Sequence, residues 1–366
     1  MSEQDAVMPK KKKSGKGLKM VAMAVLASLA GVSVTEVAAA VVAYDAIFPR
    51  YERPDYAIMP GLYDYSRIAD VLPREIVRFA SRDAELCGYY YPAEHARGLV
   101  IVAHGFHAGA DEYLPIIAFM VGAGYAVFTY DVTGTYDSDG DSVIGMCQSL
   151  IDLDYALNFV KNHPIGRDLP LFLIGHSWGG YAAASVLALH PDVRACALLA
   201  PMYNGATMMV EKGEQYVGKL AYMSKPVFDV YQKMLFGEYT KYDGVQGINA
   251  TDAHVLIAQG IDDAVITMDG QSITAHRGEI TNPNVIYYFG RGSQGSHTGI
   301  WHSDAAEEYA RKLQSDMKRY EIEQGRKMTY EERVAFYATV DHRLYSEVNA
   351  ELMALILATF EKGLQA

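Results

Sequence analysis

Ser177 is the residue of this 366-residue chain whose surroundings most plainly suit chemistry. An apolar run, Leu171-Phe-Leu-Ile174, leads straight into Gly175-His176-Ser177-Trp178-Gly179-Gly180 and then into an Ala-rich helical pattern from Tyr181. A sharp strand-to-helix turn of that kind lifts a serine hydroxyl clear of a sheet, and glycines on either side avoid clashes that a Cβ would make. The helix N-terminus also favours negative charge developing beside the hydroxyl. A serine is a weak nucleophile at neutral pH, so a base must lie within hydrogen-bond reach. The bland alternative is a small residue in a tight turn. Gly-x-Ser-x-Gly occurs once in the chain, in the context the chemistry needs. Cys87, Cys147 and Cys196 lack the close spacing of a metal site or redox pair and read as buried thiols.

A nucleophile so placed needs a sheet beneath it, and the pattern around Ser177 supplies one. Ile76–Phe79 and Glu85–Tyr91 read as paired strands joined by a turn at Ser81-Arg82-Asp83. Leu99–Ala103, Ala126–Tyr130, Leu171–Ile174, Ala195–Leu199, Val255–Ala258 and Val285–Phe289 read as short buried strands. Helical patterns at Asp111–Ala123, Gln148–Lys161, Gly179–His190 and through Ser303–Lys362 alternate with them. This is the order of a mostly parallel sheet covered by helices on both faces. The rhythm breaks between Leu199 and Val255, where Met- and aromatic-rich residues of helical character form an insert, about 201–252, that reads as a cap split in two at Pro226. At helical spacing those side chains either touch an apolar substrate or pack a small cap core.

At this point the chain resembles the α/β-hydrolase family, in particular the lysophospholipase, monoacylglycerol lipase and serine aminopeptidase group. The resemblance covers roughly residues 75–363 and rests on five motifs in order. After Val100-Ile-Val-Ala103 comes His104-Gly105-Phe106, which matches the family's oxyanion loop. Asp131-Val-Thr-Gly134 through Gly140 matches its Asp and Gly-rich loop, and Gly175–Gly179 its nucleophile turn. Gly260-Ile-Asp262-Asp263-Ala-Val supplies the acid after a late strand, and Ser296-His297-Thr298 the histidine after the last one. The resemblance implies that His297 takes the Ser177 proton and later returns one to the leaving group, while Asp263 orients the imidazole. It also implies that the backbone N–H groups of Phe106 and Trp178 hold the oxyanion. Asp262 and His302 are the competitors for the acid and base positions. His104 reads as a support for the oxyanion loop, Asp131 and Ser138 as loop-shaping residues, and His107 as either pocket lining or solvated.

The N-terminal part has a different character. Residues 1–17 form a basic tail, and residues 18–44 an apolar run interrupted at Glu36. Three readings fit: a signal anchor, a cleaved signal peptide with a site near Ala30 or Ala40, or an Ala- and Val-rich helix packed on the domain. The anchor reading makes residues 45–74 a proline-stiffened linker and residues 75–366 a hydrolase domain outside the cytoplasm; signal cleavage would make that domain secreted. Of the 32 Lys and Arg and 44 Asp and Glu, six and two fall in residues 1–20; the 26 and 42 that remain make an acidic body, which argues against nucleic acid as a partner. Nothing calls for a metal or organic cofactor. The function expected is hydrolysis of a carboxylic ester with an apolar part, with aminopeptidase, acyltransferase and non-catalytic binding protein as the rivals.

Overall fold

Period-two side-chain alternation in the apolar runs builds a sheet with two cores. Leu99, Ile101 and Ala103 turn to one buried cluster, while Val100 and Val102 between them turn to the other. The computed structural model describes residues 34–365 apart from 62–63, 206–207, 210–213, 215–217 and 219–220. The strands are β1 (Glu75–Ser81), β2 (Ala84–Tyr91), β3 (Leu99–Ala103), β4 (Ala126–Tyr130), β5 (Leu171–His176), β6 (Ala195–Leu199), β7 (His254–Gly260) and β8 (Val285–Gly290). They form one eight-stranded sheet in the order β1-β2-β4-β3-β5-β6-β7-β8. β2 is antiparallel to β1 and to β4, and every pairing from β4 to β8 is parallel. This is the α/β-hydrolase fold. β3 and β5 are neighbours with Ala103 opposite Gly175, so the loops leaving both strands emerge side by side.

Among the described residues, the α-helices longer than a single turn are α1 (Val34–Ile47), α2 (Leu114–Gly122), α3 (Gln148–Asn162), α4 (Trp178–Ser185), α5 (Ala221–Phe236), α6 (Gly244–Asn249), α7 (Asp304–Gln324), α8 (Tyr330–Tyr337) and α9 (Ala350–Gln365). Buried residues of α3, α4 and α6 join the first core, and those of α2 and α9 the second. Between β6 and β7, the insert contains α5 and α6. Pro226 does not end a helix as expected but lies inside α5. The missing N–H removes one backbone bond, and burial of Tyr231 and Phe236 on the following turns offsets the loss.

The N-terminal region departs most from expectation. The basic tail 1–17 and the first part of the anchor segment lie outside the described residues. Residues 34–44, the rest of that segment, belong to α1, where Val41 and Tyr44 are buried in the first core. The Tyr44 ring lies 4.8 Å from Phe48 and 5.2 Å from Tyr231 of α5. An aromatic side chain buries about 150–250 Å², which at ~25 cal/mol per Å² is worth roughly 4–6 kcal/mol before entropy is subtracted. That gain holds α1 on the body, so residues 34–44 are packed against protein. Among the described residues no helix is long and apolar enough to cross a membrane.

The expected linker 45–74 is likewise docked, at least in its first part. Pro49 and Tyr51 make β-bridges to Ser142 and Thr135. Arg50 donates to the carbonyls of Ser138 and Gly140, and Arg53 to the carboxylates of Asp111 and Asp137. A buried carboxylate such as Asp111 needs a cationic partner, and this segment provides it.

Candidate active site

β5 ends at His176, and Ser177 turns the chain into α4 with φ 57° and ψ −113°. A serine at positive φ costs on the order of 1–3 kcal/mol, and the surroundings must hold it there. A Cβ on Gly175 would come within 2.3 Å of the Gly179 carbonyl oxygen, and one on Gly179 within 2.1 Å of that of Ala103. Both positions therefore demand glycine, because the turn packs backbone on backbone against β3. The Ser177 N–H donates to the Leu199 carbonyl at 2.8 Å, which pins the turn to β6.

Asp263 follows β7 and its side chain is fully buried. One carboxylate oxygen accepts the N–H groups of Val265 and Ile266, each at 2.8 Å. The other accepts from Gln259 Nε2 at 3.1 Å and from His297 Nδ1 at 2.7 Å. Burial pushes its carboxyl up, but the bond and charge of His297 with the two backbone amides outweigh that and hold it below the usual range. With Nδ1–H spent on Asp263, His297 keeps Nε2 free to accept a proton. Ser177 and His297 line one cavity of about 240 Å³, together with Gly105, Phe106, Trp301 and Tyr345.

The competitors are placed otherwise. His302 also borders this cavity, but its Nδ1 is paired with Glu307 of α7 at 2.9 Å. His104 lies beneath the oxyanion loop, its Nδ1–H directed at the Gly105 carbonyl at 2.8 Å while Nε2 accepts the Val132 N–H at 3.0 Å. Burial pulls it down to about 4, so it stays neutral. Asp131 accepts from the Ala110 N–H at 2.9 Å and from Tyr89, while Ser138 donates to the Asp131 carbonyl, as loop-shaping residues do. His107 is packed between Phe106 and Tyr51. Phe106 sits on the loop after β3, and Trp178 is the first residue of α4, where an N–H has no intrahelical partner. Their rings meet at 5.3 Å.

Sequence reasoning missed a chain of bonds that ties these loops together. The Gly105 N–H donates to the Tyr113 hydroxyl at 2.9 Å, which leaves the Tyr113 proton for His176 Nδ1 at 2.7 Å. His176 Nε2–H then donates to the His297 carbonyl at 3.2 Å. Burial, and then the charge of His297, pull His176 down to about 3, so it remains neutral and keeps this tautomer. The only signal in the sequence was the position of His176 inside the nucleophile motif. Gln259, which braces Asp263, looked like any strand residue. Glu112 also borders the cavity: it accepts from Gly109 N–H and Tyr136 Oη, and burial pushes it up to about 7. Among the described residues no cluster of three His, Cys, Asp or Glu could hold a metal ion.

Comparison with known proteins agrees with the fold and narrows the class. A family model described as serine aminopeptidase, S33, matches residues 94–325. A polyketide transferase, GrgF, of a Penicillium species is 30% identical over 140 residues, covering 37% of this chain and 48% of the relative. The mouse monoglyceride lipase is 30% identical over 108 residues, 29% of this chain and 35% of the lipase. The chain thus spans half or less of the length of these curated relatives. Among solved structures, the Pyrococcus furiosus esterase Pf2001 superposes with a TM-score of 0.52 at 18% identity, covering 74% of this chain and 98% of the esterase.

Proposed function

The chain belongs to the serine aminopeptidase S33 family of α/β-hydrolases, and from that premise we propose that it is a serine hydrolase that cleaves a carboxylic ester with an apolar part. The observation that carries this reading is the 2.7 Å contact of His297 with buried Asp263, at the edge of the cavity that Ser177 also lines. Ser177 attacks the ester carbonyl while His297 Nε2 takes its proton, and Asp263 stabilises the imidazolium that forms. The N–H groups of Phe106 and Trp178 receive the oxyanion, a contribution of ~3 kcal/mol per donor in comparable sites. His297 then protonates the leaving alcohol, and water releases the acyl group from Ser177 by the reverse sequence. The similarity to a monoglyceride lipase supports an ester substrate.

Aminopeptidase activity is the second reading, favoured by Glu112 at the cavity edge, where a carboxylate can hold a substrate amine. A chain-length series of p-nitrophenyl esters run beside aminoacyl p-nitroanilides tests both, with Ser177→Ala as the blank. Ester turnover that disappears in the blank is the expected result; cleavage of the anilides alone would replace the ester reading with the peptidase one. The lysine-rich tail and the apolar run before α1 support a body that works outside the cytoplasmic membrane. Protease added to intact cells should degrade the body, and a spared body contradicts that topology.

A further inference from the structure

The strap that follows α1, residues 48–53, precedes the region matched by the family model, yet it touches the oxyanion loop, which borders the candidate site, and the loop after β4. Its aromatic side chains reach the oxyanion loop. The Phe106 ring stands edge-on to Phe48 and to Tyr51, each at 5.6 Å, and edge-on to Trp178 at 5.3 Å. The side chains of the two residues assigned as oxyanion donors therefore meet in an aromatic cluster that the strap completes. Its backbone reaches the loop after β4. The Tyr51 N–H donates to the Gly134 carbonyl and the Tyr136 N–H to the Tyr51 carbonyl, both at 2.9 Å. Arg50 adds bonds to the carbonyls of Tyr136, Ser138 and Gly140 at 2.5, 2.9 and 2.8 Å. Arg53 joins Asp111, at the far end of the oxyanion loop, to Asp137.

Backbone strain gives these contacts a purpose. His107, next to Phe106, has φ 63°, and Tyr136 has φ 44°. Neither is glycine, and such residues persist in the left-handed region only where neighbours over-determine them. The Tyr51 ring packs on His107 at 4.5 Å, while the Tyr51 carbonyl accepts from the Tyr136 N–H and the Arg50 guanidinium donates to the Tyr136 carbonyl, one on each side of its Cα. One short segment restrains both strained residues.

We propose that residues 48–53 are a clamp on the oxyanion loop, in which Tyr51 is a positioning residue that sets the Phe106 N–H through the Phe106 and His107 rings. The proposal rests on the serine-hydrolase reading above. An oxyanion donor acts within 2.7–3.1 Å of the developing charge, and a misplacement of about 1 Å can lower the rate ~100-fold. Tyr51 does this with its ring, since among the described residues its hydroxyl donates to the Ile47 carbonyl at the end of α1, at 3.3 Å, and not to the oxyanion loop.

The test compares the full chain with Tyr51→Leu and Tyr51→Phe on p-nitrophenyl butyrate, with inhibition by an alkyl boronic acid as a second readout. The boronate forms a tetrahedral adduct on serine and so reports the oxyanion site directly. Tyr51→Leu should lower kcat by roughly tenfold or more while KM stays within about twofold, and should weaken boronate inhibition in parallel. Tyr51→Phe should restore both. A folded Tyr51→Leu with wild-type kcat, or with a loss confined to KM, overturns the proposal. If Tyr51→Leu does not fold, Phe48→Leu is read by the same criteria. A wild-type chain that neither turns over the ester nor reacts with a fluorophosphonate would instead remove the hydrolase reading beneath it.

Discussion

Asp263 is held by four donors, two of them backbone amides, so its carboxylate has one orientation available toward His297. Asp263→Asn would keep an oxygen on the amides and turn an NH2 group to the imidazole, which inverts the tautomer His297 needs. The expected loss is roughly 10³–10⁴-fold in kcat, with little change in melting temperature, in a p-nitrophenyl ester assay. His176 gives a prediction in pH. Its folded value of about 3 lies below the ~6.5 of an unfolded histidine, so between those values the unfolded chain binds the extra proton. The stability that neutral His176 contributes is therefore present in full above about pH 6.5 and is lost as pH falls toward 3. Denaturant unfolding of the wild type and His176→Gln should show their stability difference shrinking over that interval. A constant difference would mean that His176 is not buried neutral.

At the scale of elements, the nucleophile turn is fixed by backbone packing. Gly179→Ala would drive a methyl group into the Ala103 carbonyl, which cannot retreat without moving β3. Thermal melting should show a loss of at least ~2 kcal/mol or failure to fold. That turn was legible in the sequence because glycine, serine and the flanking strand and helix patterns all answer one local steric problem. The parallel strands β3 to β8 were legible for a similar reason, because buried parallel strands are short runs of Val, Ile, Leu and Ala, while β1 and β2 were legible from the turn between them. Asp263 and His297 were singled out through the resemblance alone, since a lone acid or histidine after a strand carries no periodic signal. The Tyr113–His176 relay and the strap around Tyr51 were not legible. Both depend on pairs far apart in the chain, such as Tyr113 and His176, 63 positions apart, and Arg50 and Ser138, 88 apart, and the bonds that link them leave no trace in local pattern.

At the scale of the molecule, α1 is part of the body. Its apolar character, which alone reads as a membrane segment, is used to bury Val41 and Tyr44 against the first core and α5. Periodicity cannot separate these fates, because a helix packed on a protein and one packed in lipid both favour Ala and Val. Tyr44→Ala should cost ~3–5 kcal/mol in denaturant unfolding, as for other buried aromatic side chains. A loss below about 0.5 kcal/mol would mean that α1 is not docked in solution. Docking also means that removal of residues 34–53 takes away the strap, so an N-terminally shortened protein should lose turnover as well as stability.

The central claim is that Ser177 is the nucleophile, and its most direct measure is covalent capture. A fluorophosphonate probe added to the folded full-length chain, followed by peptide mass spectrometry, should place one phosphonyl adduct on Ser177. Ester turnover should fall in proportion to labelling, and neither should occur in Ser177→Ala. Absence of the adduct from folded wild-type protein, or persistent turnover in Ser177→Ala, would contradict the account.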